Sequence, residues 1–228
     1  MGIALRYWDP CLFTFQLLVS VGVPEKWQIV DVYGLDQDLL AVVPRPVVAL
    51  IFLFPTSDKY EEHRISQEGE VQAKGQTVSP DVYYMKQFAQ NACGTIALLH
   101  SIGNNLDKIQ LGDGCLKQFF EDTKQATPEE RGEMLMKNAG VINAHQELAQ
   151  EGQTEAPSPN EPVNFHFVAL VCKDGDLYEL DGRKSFPINH GPTTPDSLLE
   201  DGAKVIREYT SRDPDDIRFT VVALTATD

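Results

Sequence analysis

The chain has 228 residues, 42% hydrophobic and 23% charged, enough apolar mass to bury a core and too much for a disordered segment. Lys and Arg number 19 against 34 Asp and Glu, a net charge of −15. Such a surface repels phosphate backbones, so nucleic-acid partners are not expected. No apolar run reaches the ~18 residues of a membrane-spanning helix.

In chain order, the first feature is the apolar stretch CLFTFQLLVSVGV at residues 11–23. Asp9 and Pro10 stand where a signal peptide carries basic residues, Gln16 interrupts the run, and no small-residue cleavage site follows. The stretch is read as a first amphipathic helix. Met1-Gly2 is not a myristoylation start, because Arg6 occupies the hydroxyl position. Residues 47–54 (VVALIFLF), bordered by Pro46 and Pro55, predict a strand buried on both faces. A helix is predicted over 91–104, with Asn91 as N-cap, Ile96, Leu99 and Ile102 as its apolar stripe and Gly103-Asn104 as its end. Thr127-Pro128-Glu129-Glu130 reads as a capped helix start.

Residues 150–162 (QEGQTEAPSPNEP) have little to bury and read as a long surface loop inside one domain spanning 1–228. Strands are predicted over 165–172 and 177–181 around the turn Asp174-Gly175, a helix from Thr194-Pro195 to about Tyr209 with Leu198, Leu199, Ala203 and Ile206 inward, and a last strand over 217–224. Helices and strands mix without strict alternation, so the fold class is α/β or α+β. The four cysteines, Cys11, Cys93, Cys115 and Cys172, form no CxxC pair and no disulfide-like cluster, which suits a reducing, cytoplasmic compartment.

Cys93 is the first candidate for chemistry. In the first turn of a helix, unpaired backbone N–H groups and the helix dipole favour a thiolate. Taken alone, a cysteine on an apolar helix is more often a small core residue. His166 and Asp181 strengthen it. A two-residue turn at Asp174-Gly175 pairs residues whose numbers add to 349, which sets Asp181 opposite Val168 and makes it a diagonal neighbour of His166. A histidine held by a carboxylate is the base and orienter of a nucleophilic triad, although the same pair could merely satisfy a core strand, and a one-residue bulge would separate the two. Gln87 carries an amide that an oxyanion hole could use, a reading that has weight only beside the other three.

The segment YMKQFAQNACGTIALLHSIGNN at residues 84–105, His166-Phe167 and LYELDGRKSFPINHG at 177–191 together resemble the ubiquitin carboxyl-terminal hydrolases, in their short single-domain form. WQIVDVYGLD at 27–36, VPRPVVALIFLFP at 43–55, EGQTEAP at 151–157 and RDPDDIRFTVVALTA at 212–226 extend the resemblance to nearly everything from residue 24 onward. It implies a papain-like thiol protease with a central, mostly antiparallel sheet flanked by helices and a knotted backbone. Its catalytic groups are Cys93 as nucleophile, His166 as base and acid, Asp181 as orienter and Gln87 in the oxyanion hole. It further implies that residues 150–162 cross the active-site cleft and limit the leaving group, and that Asp31 meets the basic tail of ubiquitin.

The implied activity is a deubiquitinating thiol hydrolase releasing small adducts or short peptides from ubiquitin's C-terminal glycine. The alternative is a protein that binds and stabilises monoubiquitin with low turnover. The partner is ubiquitin or a ubiquitin-like modifier, the chain is expected to be a monomer, and no cofactor or metal is implied. Trp8-Asp9-Pro10-Cys11 departs from the family's Leu-Glu-x-Asn-Pro segment, so ubiquitin contacts there are expected to be lost or rebuilt. His100 is expected to pack, His63 and His145 to be exposed, and His190 to be structural.

Overall fold

The computed structural model describes residues 22–89, 92–141, 165–214 and 216–226. The amphipathic helix expected at 11–23 falls almost wholly outside these residues, and the loop at 150–162 and His145 lie outside them. Chain order gives β1 (Trp27–Asp31), α1 (Gln37–Leu40), β2 (Val47–Pro55), α2 (Asp58–Lys74), α3 (Cys93–Gly103), α4 (Cys115–Thr123), α5 (Pro128–Lys137), β3 (Phe165–Lys173), β4 (Asp176–Leu180), β5 (Ile188–Pro192), α6 (Leu198–Ser211) and β6 (Thr220–Ala226). The strands form one six-stranded sheet in the order β1-β6-β2-β3-β4-β5, with every pairing antiparallel.

β2 sits inside the sheet between β6 and β3 and is buried on both faces, as its unbroken apolar run predicts. Ala49 and Ile51 face one core with α3, while Leu50, Phe52 and Phe54 face a second core with α6. α3 is buried all round. Every residue from Thr95 to Ile102 is buried, so a single stripe of Ile96, Leu99 and Ile102 understates it. A helix apolar on all sides must be covered on all sides. α3 lies on β2 and β3, and Tyr83, Tyr84, Phe119 and Phe120 share its core on the same face of the sheet.

The β3–β4 hairpin has the register that the turn dictates, Lys173 opposite Asp176 and Ala169 opposite Leu180. Asp174 and Gly175 have φ of 48° and 86°, the left-handed pair of a tight two-residue turn. β4 spans Asp176–Leu180, so Asp181 stands one residue past its end. α5 starts as its sequence says: Thr127 caps it, and the Thr127 and Glu130 side chains each bond the other's backbone.

Three boundaries differ from expectation. α3 has Ala92, not Asn91, at its N-cap, with no side-chain cap bond. Thr194 and Ser197 bond each other into a turn, Thr194 N to Ser197 Oγ at 3.0 Å and Ser197 N to Thr194 Oγ1 at 3.2 Å. That turn uses the capping groups, so α6 begins at Leu198 with Leu198, Leu199, Ala203 and Ile206 buried. The last strand begins at Thr220; Ile217 is exposed and Arg218 is folded back on Asp216. Among the described residues no helix is long and apolar enough to cross a membrane.

Candidate active site

One end of the sheet collects the candidate residues. β2 ends, β3 begins and β4 ends at the same edge, because antiparallel neighbours alternate direction. Phe54 lies opposite His166 there, its ring edge-on to the imidazole with centroids 5.9 Å apart. His166 Nε2 meets Asp181 Oδ1 at 2.7 Å. The diagonal pairing therefore holds, and no bulge intervenes. Both side chains are withdrawn from water, His166 at 2% exposure and Asp181 at 0%.

With Nε2 engaged by Asp181, Nδ1 is the nitrogen left to face the third residue. Cys93 reaches the pair from the opposite core as the first residue of α3, near enough to the imidazole for His166 to act on its thiol. The first turn of α3 carries no acidic side chain and no side-chain cap, so the thiol is the group placed to become the anion there. Burial pushes the thiol pKa up. His166, with the backbone groups of Phe167 and Gly94, outweighs burial and holds it below its ordinary value. Burial lowers the His166 pKa, but the Asp181 carboxylate and then Cys93 raise it to about 9. Burial raises the Asp181 pKa, and the His166 charge and bond, aided by Lys184 and the Arg183 backbone, bring it down. The three shifts agree on a thiolate–imidazolium–carboxylate line.

Gln87 sits beside this line, half-buried. Its Nε2 donates to Ala89 O at 2.9 Å, and its backbone N–H donates to Gly182 O at 2.9 Å. The approach to Gln87 is built by α3. Asn104 bonds both backbone groups of Tyr83 at 2.8 Å, and Met85 N donates to His100 Nε2 at 3.0 Å. His100 Nδ1 lies 3.2 Å from Leu180 O, so the ring is the neutral Nδ1–H tautomer, and burial pushes its pKa down to about 4. His100, expected only to pack, joins the segment before Gln87 to the strand before Asp181.

Asp31 is not drawn into the triad. It ends β1, half-buried, three strands away and level with Ala169, so it is ~14 Å off across the sheet and a further ~10 Å off along the strands. His63, expected to be exposed, is half-buried with its ring 6.4 Å from that of Tyr209, and burial with the charges of Arg212 and Lys184 lowers its pKa. His190 bonds Glu179 Oε2 at 2.9 Å, a structural role as expected.

Several residues around the triad escaped the sequence reading. Tyr60 Oη donates to Asp181 Oδ2 at 2.8 Å, and Arg183 N donates to Oδ1 at 2.9 Å. Tyr84 shares its hydroxyl hydrogen between Asp181 O and Lys184 O, each at 2.6 Å. Lys184 is fully buried, its ammonium on Glu179 and on Gln67 Oε1 at 2.5 Å, with Tyr209 donating to Glu179 at 2.7 Å. A polar tyrosine within an apolar motif was the one available signal for Tyr84. Nothing in composition marks a buried lysine, because lysine is almost never buried unpaired. Among the described residues no group of three or more His, Cys, Asp or Glu could hold a metal ion.

Residues 8–211 match the family described as ubiquitin carboxyl-terminal hydrolase, family 1. A Drosophila melanogaster ubiquitin carboxyl-terminal hydrolase is 50% identical over 207 residues, covering 91% of this chain and 90% of its own. The Homo sapiens ubiquitin carboxyl-terminal hydrolase isozyme L1 is 47% identical over 210 residues, 92% of either chain. The Trichinella spiralis UCH37 catalytic domain, solved bound to ubiquitin vinyl methyl ester, superposes with a TM-score of 0.72 at 25% identity, covering 100% of this chain and 97% of that one. The chain belongs to the ubiquitin carboxyl-terminal hydrolase family, whose members are cysteine peptidases, and its antiparallel sheet between helices is the fold of that family.

Proposed function

We propose that this protein is a deubiquitinating thiol hydrolase in which Cys93, His166, Asp181 and Gln87 are the catalytic groups, acting as one domain on ubiquitin or a ubiquitin-like modifier. The observation that carries the reading is the line from Asp181 through His166 to the thiol at the start of α3. Asp181 fixes the imidazole with Nε2–H toward itself and Nδ1 toward sulfur. The Cys93 thiolate attacks the carbonyl carbon of the terminal glycine and forms a C–S bond. Negative charge moves to the carbonyl oxygen, where Gln87 Nε2–H and the Cys93 backbone N–H donate to it. His166 Nδ1–H gives its proton to the leaving group as the bond to it breaks. Water, deprotonated by His166, then attacks the thioester, and ubiquitin leaves with a free carboxylate while sulfur regains its charge.

The relatives' names and the ubiquitin-derived ligand in the Trichinella structure support ubiquitin as the partner. The net charge of −15 complements a basic ubiquitin tail, and a reactive thiolate suits the cytoplasm. Small adducts and short peptides are the proposed leaving groups. Steady-state hydrolysis of a ubiquitin C-terminal amide with a fluorescent leaving group tests the reading. Turnover that disappears in Cys93→Ala is the expected result. Tight ubiquitin binding with no turnover in the wild-type protein would overturn it in favour of a binding role.

A further inference from the structure

α2 is an unusual helix for its position. Of its seventeen residues Tyr60 alone is buried, so the hydrophobic effect gives little reason for its placement. Beside the ring contacts of Tyr60 and His63 and an ion pair of Lys59 with Asp213 at 2.8 Å, its polar contacts fall in order along one short segment. Tyr60 reaches Asp181, with Oη 2.8 Å from Oδ2. Glu61 pairs with Arg183 at 3.2 Å, Gln67 accepts from Lys184 Nζ at 2.5 Å, and Glu68 accepts from Ser185 N at 2.5 Å. Positions 60, 61, 67 and 68 share one helix face, two turns apart. Arg64 lies between them and bonds Glu61 at 3.0 Å and Glu68 at 2.8 Å, holding both carboxylates in place.

We propose that α2 is a splint for residues 181–185 and that Tyr60 is a positioning residue, holding the Asp181 carboxylate so that Oδ1 faces His166. This rests on Asp181 being the orienting group of the proposed triad. The carboxylate stands past the end of β4, where the ladder no longer fixes it, and rotation about its last torsion is broad for an aspartate. Two bonds remove that freedom, Arg183 N on Oδ1 and Tyr60 on Oδ2. Tyr60 is itself held. It stands in the first turn of α2, where Ser57 Oγ accepts from its backbone N–H at 3.3 Å, and its ring packs edge-on to Phe54 at 4.9 Å. Burial and the neighbouring carboxylate keep its phenol protonated, so its hydroxyl remains the donor.

Tyr60→Phe keeps the ring and its packing and removes one hydrogen bond. The experiment measures kcat and KM on the ubiquitin amide for wild type, Tyr60→Phe, Asp181→Asn and the double variant, with Tm for each. Tyr60→Phe is expected to lower kcat on the order of 10-fold, the worth of one bond to a charged group, and to leave KM within about twofold. In the Asp181→Asn background it is expected to change kcat by less than about twofold, because it acts through Asp181. An unchanged kcat in Tyr60→Phe, or an equal fall in both backgrounds, would overturn the proposal while leaving the triad intact. A full kcat in Asp181→Asn would overturn the triad reading and this proposal with it.

Discussion

His166 on β3 and Asp181, one residue past the end of β4, lie diagonally across a two-residue turn, their buried side chains 2.7 Å apart. The turn fixes the register, the register fixes the diagonal, and burial makes the contact strong. Asp181→Asn keeps the shape and removes the charge. It is expected to lower kcat by on the order of 10²-fold or more, because an amide stabilises the imidazolium poorly and accepts the wrong tautomer. Ubiquitin affinity, read by calorimetry, should barely change. An equal loss of binding and turnover would point to a collapsed hairpin instead.

Cys93 is set apart from Cys172 by its surroundings. Cys172 is buried, and burial raises its pKa, while the Cys93 pKa is lowered. A ubiquitin carrying a C-terminal thiol-reactive group should therefore label Cys93 alone, as peptide mapping will show. Cys93→Ala should abolish hydrolysis and retain ubiquitin. Labelling at Cys11, Cys115 or Cys172 with Cys93 untouched would refute the assignment.

The shifts of the pair define a pH window. The thiol sits below its ordinary value and the imidazolium deprotonates only at about 9. Alkylation of Cys93 by iodoacetamide needs only the thiolate, so its rate should rise through the lowered thiol pKa and stay level above pH 9. Hydrolysis also needs the acid, so kcat/KM should fall above about 9. For stability the sign is the same on that side. The His166 pKa is raised from 6.5, so its contribution is complete below that value and is lost as pH climbs through about 9. The Asp181 pKa is depressed, so its contribution is present above 3.8 and is lost on acidification below it. Denaturant midpoints across pH check both limbs. A kcat/KM and an alkylation rate that fall together above pH 9 would show that His166 is not the acid.

The buried Lys184–Glu179 pair gives a prediction for stability. Lys184→Met leaves the Glu179 carboxylate fully buried with only His190 and Tyr209 as partners. Urea titration should show a loss of about 3–5 kcal/mol, the usual result of orphaning one member of a buried ion pair. Adding Glu179→Gln should recover part of it. A loss no larger than that of a surface substitution would mean that water or His190 satisfies Glu179 unaided.

What could be read beforehand, and what could not, follows from where the information lies. The hairpin, the capping box at Thr127 and the double-sided strand β2 are local: a turn dipeptide, a four-residue motif and an unbroken apolar run each carry their own geometry. From the hairpin register alone the His166–Asp181 contact was within reach, although its function was not. The catalytic roles came from the resemblance. β1 and β5 are only five residues each, too short for a periodicity to stand out from its surroundings. The splint of α2 is a set of polar contacts to residues more than a hundred positions away, and polar faces show no periodicity that names their partner. At Asn91 and Thr194 local signals competed. A good capping residue stood one or more positions before the helix that formed, and tertiary packing of α3 and the Thr194–Ser197 turn decided the starts.

Gly182 offers a last test, of the coupling between the two halves of the site. It follows Asp181 directly, and its carbonyl accepts from Gln87 N at 2.9 Å. A side chain there has no room. A Cβ would stand 2.9 Å from Ile96 Cγ2, 3.0 Å from Gln87 Cβ and 3.3 Å from Gln87 N. One backbone turn thus carries the orienting carboxylate and seats the oxyanion donor. Gly182→Ala must push Gln87 or Ile96 aside by a few tenths of an ångström, and Gln87, in the half-open segment, is the softer of the two. Removing one oxyanion donor costs about 10²–10³-fold in kcat, and a displaced donor should cost part of that, on the order of 10-fold. Alkylation of Cys93 by iodoacetamide builds no oxyanion and should keep its rate. In a Gln87→Ala background, Gly182→Ala should add little, because the group it displaces is gone. Gly69→Ala, on α2 with nothing within 4 Å, serves as the control and should leave kcat unchanged. If Gly182→Ala slows alkylation as much as hydrolysis, the substitution has moved the triad itself, and the separate seating of Gln87 by Gly182 is wrong.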